Sequence, residues 1–128
     1  MSVDFNHTIV HCSDKQASAT FLCEILGLPD PVPYGPFLVV ETANGASLDY
    51  ADDNGVPSRQ HYAFLVGEDD FDQIHGRLVE RDLTYWADPY RRHDGQISTN
   101  DGGRGLYWND PDGHFLEIIT VPYGGAPA

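Results

Sequence analysis

Apolar and polar residues alternate from Val3 to His11, with Val3, Phe5, His7, Ile9 and His11 on one face, so the spacing predicts a strand. Asp14 then stands where a helix would be capped. The helix that follows has Ala17, Phe21, Leu22, Ile25 and Leu26 on its apolar face, and Gly27 ends it. Pro29, Pro31, Pro33 and Pro36 exclude helix and predict a connector. Strands are expected over 37–42 and 46–50, with Asn44-Gly45 as a two-residue hairpin signal. The order then repeats. A strand spans 60–66, and Asp69 or Asp70 caps a helix with Phe71, Ile74, His75, Leu78 and Val79 on one face. A short strand is expected over 83–87, a polar Gly-rich loop over 88–102, and strands over 105–108 and 114–121. The last two flank the turn Asp110-Pro111-Asp112-Gly113, and the tail from Tyr123 is expected to be loose.

The two halves overlay. An offset of 54 places His7 on His61 and one helix on the other. An offset of 68 places 45–50 on 113–118, and so Asp49 on Glu117. The difference of 14 residues fits the 88–102 loop. The chain is therefore expected to be one α+β domain of two β-α-β-β-β modules, 1–55 and 56–128.

Charge narrows the partners. Seven Lys and Arg face 20 Asp and Glu, a net charge of −13. So few basic residues cannot build a phosphate-tracking stripe, which excludes nucleic acid and an anionic membrane surface. A hydrophobic fraction of 41% excludes a disordered chain. Cys12 and Cys23 are expected to be reduced core thiols. The N-terminus lacks the charged and apolar regions of a signal peptide and no run is long enough to span a membrane, so the expected address is the cytoplasm.

The candidate chemistry rests on His7, His61 and Glu117. Two imidazoles and one carboxylate hold one face of a divalent ion and leave positions open for a substrate. The three residues lie on separate strands, and Glu117 sits within Phe115-Leu116-Glu117-Ile118-Ile119, where a carboxylate is costly to bury unless it is paired. His11, His75 and His114 are expected to be structural. His93 lies in the loop with Arg91 and Arg92 and is a candidate proton carrier.

Asn6-His7, Ser13-Asp14, Leu26-Gly27-Leu28, Gln60-His61 and above all Asp110-Pro111-Asp112-Gly113-His114-Phe115-Leu116-Glu117 resemble the vicinal oxygen chelate superfamily. That group contains glyoxalase I, fosfomycin-inactivating thiol transferases, extradiol dioxygenases and bleomycin-resistance proteins. The resemblance implies paired modules with curved mixed sheets forming a cup around a metal, completed in a homodimer. It also implies that His7, His61 and Glu117 bind Fe²⁺, Mn²⁺, Ni²⁺ or Zn²⁺, that Tyr107 contacts the substrate, and that Asp49 matches a fourth glyoxalase ligand. Some family features are missing. No Lys or Arg follows Glu117, few basic residues are available for glutathione, and Ser98 stands near a place where extradiol enzymes carry His. The expected function is a glyoxalase- or dioxygenase-type enzyme, a lyase, isomerase or dioxygenase, acting on a small molecule with adjacent oxygens. The alternative is metal-independent sequestration of a cationic antibiotic.

Overall fold

The computed structural model describes residues 1–125 and divides the chain into two compact units, Met1–Ser58 and Arg59–Ala128. In the first, β1 (His7–Cys12) leads to α1 (Lys15–Leu26), β2 (Val32–Tyr34), β3 (Phe37–Glu41) and β4 (Ser47–Asp52). The sheet order is β1-β4-β3-β2; β1 and β4 are parallel and the other pairs antiparallel. In the second, β5 (His61–Leu65) leads to α2 (Glu68–Glu80), β6 (Tyr85–Trp86), β7 (Gly105–Asn109) and β8 (Phe115–Ile119). Its order is β5-β8-β7-β6, with the same pattern of directions. This is the expected α+β class, with two four-stranded mixed sheets.

The registers carry the repeat. His7 pairs with Ser47 and Ile9 with Asp49, while His61 pairs with Phe115 and Ala63 with Glu117. Val39 pairs with Asp49 as Tyr107 pairs with Glu117. Val32 pairs with Val39 as Trp86 pairs with Tyr107, so β6 still obeys the offset of 54 and β7 the offset of 68. All 14 extra residues therefore lie between β6 and β7.

Local signals account for both ends of α1 and for the turn at 110–113. The Asp14 side chain accepts from the Ala17 N–H, and Gly27 ends α1 in the left-handed region at φ 73°. On α1, Ala19, Leu22, Cys23 and Ile25 are buried; in the first sheet the buried apolar residues include Val10, Leu38, Val40, Leu48 and Tyr50. The second unit buries Phe71, Ile74, Leu78, Leu106, Trp108, Leu116 and Ile118. Among the described residues neither cysteine forms a disulfide, and both are buried; burial, helped by the Asp30 and Glu24 charges, pushes the Cys23 thiol up to about 11. In the 110–113 turn, the Gly113 N–H donates to the Asp110 carbonyl and Gly113 has φ +85°. No helix among the described residues is long and apolar enough to cross a membrane.

Several expectations are corrected. The first strand starts at His7, not Val3; Val3 and Phe5 are exposed. The face of β1 that is buried is Val10 and Cys12, so the His7, Ile9 and His11 face points away from the core. The proline connector holds a strand, β2, which is tolerated because it lies at the sheet edge. The hairpin loop has three residues, not two. Thr42 and Ala46 close it, the Gly45 N–H donates to the Thr42 carbonyl, and only Gly45 takes positive φ. Helix α2 begins at Glu68 behind Gly67, with no side-chain cap; Asp69 and Asp70 lie in its first turn, where they favour the helix dipole. Val79 is exposed. The tail is anchored through Tyr123, as described below; residues 126–128, also expected to be loose, lie outside the described residues.

Candidate functional site

β8 puts Leu116 and Ile118 on one face and Glu117 on the other, because side chains alternate along a strand. Glu117 is nevertheless only 2% exposed. Its neighbours across the sheet explain how it is housed. Ala63 on β5 is small and leaves room, so His61, two residues earlier, reaches over it and sets Nε2 2.9 Å from Glu117 Oε1. On the other side β7 places Tyr107 opposite Glu117. From beyond β8, the Tyr123 hydroxyl donates to the carboxylate, 2.7 Å from Oε1 and 2.9 Å from Oε2. Among the described residues, no Lys or Arg pairs with this carboxylate.

The imidazole is oriented from behind. His61 Nδ1 lies 3.0 Å from the Phe115 carbonyl oxygen, which can only accept, so Nδ1 donates there. Nε2 then faces the carboxylate with its lone pair unless the ring is doubly protonated. A neutral imidazole and a carboxylate are two acceptors aimed at each other, an arrangement that a shared cation resolves. The distance fits: two ligands bound at about 2.1 Å with a right angle between them stand about 3 Å apart.

Tyr107 is held flat. Its ring stacks on Phe115 with centroids 5.1 Å apart and planes 14° apart, and the Arg91 guanidinium lies 4.3 Å from the Phe115 centroid. Burial, the Glu117 charge, and hydrogen bonds to Glu117 and Tyr123 drive the Tyr107 phenol far above its usual pKa. Burial and Glu117 also raise that of Tyr123. Both phenols therefore keep their protons and act as donors. Tyr107, Glu117 and Tyr123 line a cavity of about 340 Å³ with Ser98, Asp101 and Arg104 among the other walls. Arg104 is not free to receive an anion there, since it is spent on Glu68 and Asp72 of α2.

The first unit arranges the matching residues differently. His7 Nδ1 lies 2.7 Å from Asn6 Oδ1, and Asp49 accepts from the Ser47 hydroxyl at 2.9 Å. His7 and Asp49 line a cavity of about 580 Å³ together with Val32, Tyr34, Phe37, Val39, Asp30 and Glu41; no Lys or Arg is in its wall. Among the described residues, neither unit by itself gathers three His, Cys, Asp or Glu side chains in a metal-holding group. Of the expected residues, the second unit thus brings together His61, Glu117 and Tyr107, while His7 and Asp49 share the first unit's cavity.

His93 is exposed on the loop and is absent from both cavity walls; its backbone N–H donates to Asp88. The remaining histidines have structural contacts. His75 Nε2 meets the Tyr85 hydroxyl at 2.9 Å, His114 Nδ1 accepts from the Gln60 N–H, and His11 stands 3.8 Å from Asp53. Tyr123 was missed by the sequence reading. The one available signal was a lone Tyr six residues past a buried Glu, in a segment otherwise rich in Gly and Pro.

Known proteins share this arrangement of elements. The solved structure of Oxidase ChaP-H1 is 60% identical, with a TM-score of 0.95, covering 97% of this chain and 100% of that one. Oxidase ChaP-H2 is 61% identical with a TM-score of 0.96, covering 99% and 100%. Glutathione transferase FosA of Serratia marcescens is 32% identical over 124 residues, covering 92% of this chain and 81% of that protein. The family model of the glyoxalase/bleomycin resistance protein/dioxygenase superfamily matches residues 4–118. With two modules in matched register and a match across nearly all its length, this chain belongs to the glyoxalase/bleomycin resistance protein/dioxygenase superfamily.

Proposed function

We propose that this protein is a divalent-metal-dependent enzyme of the oxidase or dioxygenase type, acting in the cytoplasm on a small substrate with adjacent oxygens. The observation that carries the reading is the buried Glu117 carboxylate, 2.9 Å from an imidazole nitrogen and without Lys or Arg among its described partners. In this reading His61 and Glu117 hold the ion, and His7 from a first unit completes the set. A bound Fe²⁺, Mn²⁺, Ni²⁺ or Zn²⁺ supplies Lewis acidity toward the substrate oxygens. The protein does the rest. The Phe115 carbonyl fixes the ring of His61, a support that orients a ligand and raises its basicity. Tyr107, fixed by its stack on Phe115, donates a hydrogen bond to charge that develops on the substrate oxygen.

Two observations favour oxidation over thiol transfer. The solved relatives at 60–61% identity are named oxidases. The cavity that holds His7 is walled by Asp30, Glu41 and Asp49 without a basic residue, a poor receptor for the carboxylates of glutathione. The same acidic wall favours a second reading, sequestration of a cationic antibiotic without metal.

Metal separates the two. Protein purified without chelator or metal-loaded tag should carry, or take up, one divalent ion per chain, and Glu117→Ala should take up none. A protein that holds no ion, and binds a cationic drug equally well before and after Glu117→Ala, establishes the second reading. The enzyme reading also makes the protein a two-fold homodimer with sites drawing on both chains. Light scattering that shows an active monomer at micromolar concentration would end that part.

A further inference from the structure

Tyr123 has a position that the function proposed above does not use. The residue is 68% exposed, yet its hydroxyl reaches the carboxylate of Glu117, a residue only 2% exposed. The hydroxyl oxygen is almost equally far from both carboxylate oxygens, 2.7 Å and 2.9 Å. A group so placed stands at the open front of the carboxylate, between its two oxygens. A cation that takes both oxygens of one carboxylate must occupy that same place. The Nε2 of His61, in contrast, approaches Oε1 alone.

From this geometry we propose that Tyr123 sets how Glu117 binds metal: its hydroxyl blocks the front of the carboxylate and leaves Oε1 as the single coordinating oxygen. The inference rests on the metal reading above. It makes Tyr123 a positioning residue, acting through Glu117. Its consequence is selectivity among ions. Ca²⁺ favours carboxylates that bind through both oxygens and a high ligand count, whereas smaller octahedral or tetrahedral ions accept one oxygen. A carboxylate confined to one oxygen also uses one fewer coordination position, so more remain open for a substrate.

The test is a pair of calorimetric titrations, with Mn²⁺ alone and with Ca²⁺ alone, on full-length metal-free wild type and Tyr123→Phe. Phe keeps the aromatic ring and deletes only the hydroxyl, so the variant should stay folded, with a metal-free unfolding midpoint lowered by the loss of one donor to a buried carboxylate. Wild type should prefer Mn²⁺. In Tyr123→Phe, Ca²⁺ should gain on Mn²⁺ by about tenfold, the lower end of what removing an outer-shell partner of a metal ligand does. A purely structural role would weaken both ions alike. Ca²⁺ that gains nothing on Mn²⁺ in the variant, whether both affinities hold or both fall, overturns the role of Tyr123 and leaves the metal reading standing. A wild type that binds neither ion overturns both.

Discussion

The two sheets share strand order, directions and register, yet only one of them joins its imidazole to its carboxylate. The difference is in four matched pairs of side chains. Glu117 is one methylene longer than Asp49. Glu117 is flanked across the sheet by Ala63 and Tyr107, whereas Asp49 is flanked by Ile9 and Val39. Ser47, at the position of Phe115, offers Asp49 a hydroxyl on its own strand. A short acid with a local donor and a branched neighbour stays where it is. A longer acid beside an alanine is reached by the histidine. The first unit in turn keeps the larger cavity, about 580 Å³ against 340 Å³. One unit brings an imidazole and a carboxylate together, and the other holds the larger cavity.

The strongest way to break this comparison is Glu117→Ala. It should abolish metal uptake and turnover together, measured by elemental analysis and assay, while the circular dichroism spectrum stays native. Ala also leaves His61 and the Tyr123 hydroxyl without the carboxylate they face, so the metal-free unfolding midpoint should fall. Retained metal would show that the second unit's pair is not the ligand set. Tyr107→Phe comes next. It should keep the metal and lower kcat by about 100-fold, the usual cost of deleting one donor to a developing oxyanion; a change in KM alone would make Tyr107 a binding residue.

A stability comparison sharpens the contrast at matched turns. Gly45 and Gly113 are related by the offset of 68, and both have strongly positive φ, +87° and +85°. A methyl group at Gly45 meets nothing within 4 Å, while at Gly113 it would stand 2.9 Å from Arg59 Nε. Gly45→Ala should cost about 1 kcal/mol from backbone strain alone, and Gly113→Ala roughly 2 kcal/mol because Arg59 must also move. Equal midpoints in urea would show that Arg59 yields without cost.

The smallest effects are expected away from the ligand pair. Asp49→Ala should leave one ion per chain with its affinity changed by less than about threefold, since this carboxylate is held by Ser47 on its own strand and supports neither His61 nor Glu117. A larger loss would restore it as a fourth ligand. His93→Ala should lower turnover by no more than about threefold, far below the 100-fold or more that an acid–base residue supplies. A loss on that larger scale would assign the proton step to His93.

Much of this was legible in the chain because it depends on local chemistry. Asp14 and Gly27 mark both ends of α1, Gly113 marks its turn, and the paired offsets anticipated matched registers. What escaped depends on tertiary placement. Alternation gave the period of the first strand, but its mixed faces, apolar on both sides, did not reveal that Val10 and Cys12 would be the buried pair. Proline was read as a breaker at 31–36, although an edge strand needs only some of its N–H groups. At the site, the recurrence of His and acid singled out His61 and Glu117, whereas nothing repeated around Tyr123, which reaches Glu117 from the segment after β8.

The lengthened hairpin between β6 and β7 has a consequence for how such a protein changes. Its 14 extra residues enter at a sheet edge and replace the pairs equivalent to Pro33–Leu38 and Tyr34–Phe37, but the remaining pairs keep the repeat offsets, so loop length changes without a shift of strand register. Ser98, Asn100 and Asp101, all from this loop, form part of the wall of the Glu117 cavity. The surroundings of Glu117 can therefore be altered by lengthening, shortening or exchanging one loop, while the frame that aims His61 at Glu117 is inherited unchanged.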